Sequence, residues 1–161
     1  MKDPNGIKQI MDSKNIIFRV LMFYTLDGTE EYKPNSLIVF HALCNIDGFR
    51  EVLFDQHQFK SANFDSFVKK SKERFNQQLQ NEEWDLLTNQ CASIKAFCNA
   101  MPERQTDYSD LIVPVIKLIS ERTGTIRKNA ATLLAKLSEN PDNKKIMVAN
   151  HGTEVLVSLK N

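Results

Sequence analysis

The sequence predicts an all-α protein whose short helices must stack on one another. Three observations point there. Apolar residues recur at three- and four-residue steps through most of the chain. Prolines and glycines fall where such helices would start and stop. Three twelve-residue stretches also align without gaps, which is the mark of a repeated helical unit.

In chain order, NFDSFVKKSKERFNQQLQ is the first strongly amphipathic helix read from the residues. Phe64, Phe67, Val68, Phe75 and Leu79 form its apolar stripe, and Lys69, Lys70, Lys72 and Arg74 lie largely on the other side. Asp65, Glu73, Glu82, Glu83 and Asp85 dilute that basic face, so it reads as a solvated surface over a packed stripe. Trp84 opens the next helix, within EEWDLLTNQCASIKAFCNA, and is expected to pack beneath the preceding segment. DLIVPVIKLISE is a third helix, in which Pro114 predicts a kink or a later start. In the fourth, TIRKNAATLLAKLSE, Ile126, Ala130, Leu133, Leu134 and Leu137 hold one face, and Thr125 is its expected cap. Asn140 caps a short helix whose first residue is Pro141, because Pro lacks only an N–H that would be unpaired there. Gly152 is expected to end that helix in the left-handed conformation, with Thr153 capping a last one that turns Val155, Leu156 and Leu159 inward. Helices this short cannot bury their apolar faces alone.

The aligned stretches are NSLIVFHALCNI from Asn35, NQCASIKAFCNA from Asn89 and NAATLLAKLSEN from Asn129, with starts 54 and 40 residues apart. Leu43, Phe97 and Leu137 share one apolar column, and Ile94 and Leu134 stand opposite Phe40 in another. Cys44, Cys98 and Ser138 make a small-residue column, and Asn45, Asn99 and Glu139 a polar one.

With these residues in view, the chain resembles the armadillo-repeat family, with HEAT-like stacking a close alternative. ENPDNKKIMVANHGTEVLVSL looks like the first two helices of such a repeat, and GTIRKNAATLLAKLSE like the third helix of the one before. The resemblance implies a right-handed α-solenoid of about three and a half repeats in one domain, 1–161. Its repeats would span about 4–46, 47–100 and 101–140, with a partial one at 141–161. It places first and second helices near GIKQIMDS and IIFRVLMFY and a third from Glu30 to Ile46. In the family, Asn residues at the Asn45 and Asn99 positions line a concave surface and bond the backbone of an extended peptide. An amide suits that task because it both donates and accepts. The family's aromatic column is absent, since His41, Lys95 and Ala135 stand where Trp is common. Capture of basic peptides in the importin manner is therefore not expected.

Chemistry is constrained by what the residues lack. His41, His57 and His151 lie far apart, and neither ligand spacing, a Gly-x-Ser-x-Gly elbow nor a phosphate loop occurs. The sequence thus predicts a non-catalytic protein with no metal and no cofactor. Cys44, Cys91 and Cys98 are expected as reduced, packed thiols. A net charge of +1, with 42% apolar and 25% charged residues, offers no field for nucleic acid. No apolar run reaches the roughly 18 residues of a membrane span, and no signal-peptide core opens the chain. A cytoplasmic setting, including a cytoskeletal or ciliary one, is expected.

The functional expectation is a protein-interaction scaffold binding a protein or peptide through its concave face, with His41, Asn45, Lys95, Asn99, Ala135 and Glu139 as contact positions. Two alternatives accompany it. One is a structural subunit of a large cytoskeletal or ciliary assembly. The other is the regulatory armadillo region of a formin-like protein, binding a GTPase. A first and second helix without a third leave apolar surface uncovered, so either the chain is a fragment or that end meets another protein, with Val155, Leu156 and Leu159 as the end-on contact.

Overall fold

The computed structural model describes residues 61–159 together with the isolated positions Val39 and Ala42. Residues 1–67 and 68–161 form two compact units. The first repeat, the start of the second, and with them His41, Cys44, Asn45 and His57 lie outside the described residues.

Every described element is helical. α1 is Ser61–Gln80, α2 Trp84–Ala100, α3 Ile112–Glu121, α4 Gly124–Leu137, α5 Pro141–Ala149 and α6 Gly152–Ser158. Between α2 and α3 runs a 3₁₀ helix, Pro102–Leu111, interrupted at Tyr108, whose φ of −107° and ψ of 15° are not helical. No helix among the described residues is long and apolar enough to cross a membrane.

The sequence pattern accounts for α1 and α2. Phe67, Val68 and Phe75 are buried, while Lys69 is exposed beside Glu73 and Lys72 bonds Asp110 at 2.7 Å. α1 stops in a Schellman arrangement: Glu82 takes the left-handed conformation, with φ 59°, Glu83 N–H donates to the Gln78 carbonyl at 2.9 Å, and Glu82 N–H donates to that of Leu79. α2 buries Leu87, Cys91, Ile94, Phe97 and Cys98. Burial pushes both thiols up to about 12, so at neutral pH they are protonated and inert, as expected of packed cysteines.

α3 begins two residues later than its apolar run, which puts Pro114 in the first turn where its missing N–H costs no bond. The Asn140 cap forms as its residues predict, with Oδ1 accepting from Asp142 N–H at 3.0 Å and Asn143 N–H at 3.3 Å. Three expectations are corrected. α4 starts at Gly124 behind Thr123, so Thr125 is not its cap. α6 starts at Gly152 behind His151, so Thr153 is not a cap either. The left-handed residue that closes α5 is His151, with φ 60°, and not Gly152. Gly152 is needed for room: a Cβ there would stand 2.5 Å from Met147 Cγ and 2.9 Å from Ile116 Cδ1. Close packing of α6 on α5 and α3 requires the glycine, whereas the backbone reversal falls to the histidine.

α4 packs on α2 and on α3, α5 packs on the 3₁₀ helix and α3, and α6 packs on α3 and α5. Two side-chain amides tie these layers. Asn129 Nδ2 donates to the Thr88 carbonyl at 3.2 Å, across 41 residues, and Asn143 Nδ2 donates to that of Gln105 at 2.9 Å, across 38. The packing of α4 on α2 and the Asn129–Thr88 bond bring together residues 41 apart in sequence, close to the 40 residues that separate the aligned stretches. Phe97 and Leu137, which share a column in that alignment, are both buried.

A second buried link holds α1 to this group. Tyr108, fully buried, shares a 3.0 Å hydrogen bond with Ser71 Oγ, and Gln90 Nε2 donates to the Ser71 carbonyl at 3.1 Å. Burial raises the Tyr108 hydroxyl well above its ordinary range, with the Ser71 bond opposing that shift, so the phenol stays neutral.

Candidate partner-binding surface

The burial pattern along α2 and α4 shows where the expected contact residues lie. Helical steps of three and four carry Asn89, Ala92, Lys95, Ala96 and Asn99 along the side of α2 that the core does not cover. Lys128, Ala131, Thr132, Ala135 and Glu139 do the same for α4 and its final turn. Lys95 and Asn99 are half-buried, and Ala135 and Glu139 are exposed. All four therefore lie on uncovered sides of two neighbouring helices, with small residues between them that leave the surface shallow.

The polar positions differ in freedom. Glu139 is engaged, its Oε2 accepting from Lys136 Nζ at 2.6 Å. The Asn99 amide and the Lys95 ammonium have no hydrogen-bond partner among the described residues. Asn99 is thus not spent on satisfying the end of α2, where the carbonyl of Phe97 accepts from Met101 N–H. The structural amides are others, Asn129 and Asn143, which sequence reasoning did not single out. The polar residue at the third position of α5, beneath an otherwise ordinary cap, was the available sign for Asn143.

Of the residues expected to meet a neighbour end-on, Val155, Leu156 and Leu159 are half-buried, while Val157 and Val148 are the more open, at 55% and 54%. His151 is exposed and stands 3.7 Å from Glu154. Among the described residues no group of three His, Cys, Asp or Glu could hold a metal ion.

Trp84, expected beneath the preceding segment, shares a cleft wall with Leu79 of α1. It is half-buried, and the Arg122 guanidinium lies over its ring, 3.7 Å from the centroid. Arg122 sits in the link between α3 and α4, and nothing in its sequence neighbourhood announces a partner 38 positions upstream. Compared with protein-family models, curated proteins and solved structures, the chain gives no match.

Proposed function

We propose that the protein is a non-catalytic interaction scaffold, an armadillo-like α-solenoid that binds a protein or peptide partner across the uncovered sides of α2 and α4. The observation that supports this reading is that α4 packs on α2 with Asn129 bonded to Thr88, 41 residues away, close to the 40-residue step of the aligned stretches. Repetition at that step places corresponding helix positions in a row, which is what recognition of an extended backbone requires. In this reading the 3₁₀ helix, α3 and α4 make up one three-helix repeat, and α5 and α6 the first two helices of the next. Asn99 supplies a donor and an acceptor without an internal partner, and Lys95 a cation beside it.

The test is affinity capture of the native protein from its own cells, followed by identification of the captured protein and measurement of its affinity for variants. Asn45→Ala combined with Asn99→Ala weakens that affinity about ten-fold or more, since each lost amide removes bonds worth about 1 kcal/mol. Val155→Asp and Leu156→Asp leave it unchanged. The reverse pattern moves the contact to α6 and supports an assembly subunit instead. A GTPase among the captured proteins favours the formin-like reading.

A further inference from the structure

We propose that a cleft at the N-terminal end of α2 binds a carboxylate carried on an apolar peptide segment, with Arg122 as its anchor. The cleft measures about 300 Å³ and is walled by Leu79 from α1, Trp84 from α2, and Pro114 and Leu118 from α3. It adds a second contact to the scaffold reading and rests on it only in taking the ligand to be part of a partner protein.

Arg122 is the unusual group. Stacked on Trp84, its planar guanidinium is fixed in orientation and keeps its in-plane N–H edges for hydrogen bonding. Its Nε is buried with no hydrogen-bond acceptor. No carboxylate pairs with Arg122 among the described residues. The neighbouring acid Glu121 is turned to Lys117 at 3.8 Å, and Glu82, on the rim, forms no ion pair among the described residues. The outer N–H groups of a guanidinium held in one orientation match the two oxygens of a carboxylate.

Size and charge narrow the ligand. About 300 Å³ admits one or two side chains of a linear segment and not a folded surface. Leu79, Pro114 and Leu118 give its aliphatic part apolar contact. Arg122 and Lys117 are offset by Glu82 and Glu121 in the lining, so the cleft compensates one negative charge more readily than two, and a carboxylate is favoured over a phosphate.

Trp84 is the chain's one tryptophan, so its emission reports on this cleft. The probe is acetyl-Leu-Glu-Leu-amide, titrated to millimolar concentration against the whole chain, beside its Gln and phosphoserine counterparts. The Glu peptide is expected to give a saturable change, the Gln peptide to bind about ten-fold more weakly or worse, and Arg122→Gln to abolish the response. Arg122→Lys, which keeps the charge without the two-pronged geometry, retains a weakened response, and far-ultraviolet circular dichroism verifies that both variants are folded. A flat titration with the Glu peptide, equal binding of the Gln peptide, tighter binding of the phosphoserine peptide, or an unaltered response in folded Arg122→Gln each overturns the assignment. A flat titration leaves capture through α2 and α4 standing. Loss of that capture with the titration intact does the converse.

Discussion

Phe97→Ala is expected to destabilise residues 68–161 by about 3–5 kcal/mol, read as a drop in the urea midpoint. The Phe97 ring is 2% exposed and meets Tyr108 edge to face, with centroids 6.1 Å apart and planes at 74°. Truncation loses the burial of the ring and that aromatic contact, and opens a cavity beside the Tyr108–Ser71 hydrogen bond. Collapse into the space is resisted from both sides, because α4 and the 3₁₀ helix are each tied to other elements. A domain of this size holds only about 5–15 kcal/mol in total. The variant should therefore show partial unfolding under mild denaturant. A loss below about 1 kcal/mol would mean that Phe97 is not a packed member of the column it shares with Leu137.

The second large effect is expected at Asn143, which is fully buried. Its Nδ2 donates to the carbonyls of Gln105 and Leu137, at 2.9 and 3.1 Å, and so joins α5 to the 3₁₀ helix and to the end of α4. Asn143→Ala is expected to cost about 1–3 kcal/mol by the same assay. Two effects oppose each other. The substitution deprives two carbonyls of a donor, although Leu137 keeps the Asn140 N–H at 3.3 Å. It also removes Asn143 Oδ1, which is buried without a donor of its own. The loss dominates because two bonds are broken and one unpaired oxygen is relieved. Asn140→Ala, at the exposed cap, should cost about 1 kcal/mol, and a larger effect there than at Asn143 would place the join elsewhere.

Local chemistry was the legible part of this chain. The α5 cap is written in Asn140 and Pro141, and the apolar steps of Ile126 to Leu137 define the buried side of α4, because both depend on residues within a turn or two of one another. The pairing of α2 with α4 agrees with the aligned stretches, whose 40-residue step is close to the 41 residues between Thr88 and Asn129. What could not be read depends on contacts made at a distance. Gly152 looks like a helix terminator, but its role comes from Met147 and Ile116 closing on it. The 3₁₀ helix is polar enough to pass for a loop, and it is held by Tyr108 and Gln105 reaching buried partners on α1 and α5. For the candidate sites the contrast is the same. Lys95, Asn99, Ala135 and Glu139 emerged from the alignment, whereas the Arg122–Trp84 stack joins two helix boundaries that no periodicity connects.

The register of α2 against α4 is open to direct measurement by spin labels placed in two pairs, Lys95→Cys with Ala135→Cys and Asn99→Cys with Glu139→Cys. Cys44 is first replaced by Ser, while the buried Cys91 and Cys98 thiols stay protonated and unlabelled. Two parallel, packed helices in a 40-residue register predict the same short separation for both pairs, that of neighbouring helix axes at roughly 8–10 Å plus the label arms. Unequal separations, or either pair too distant for dipolar broadening, would contradict the stacked-repeat account.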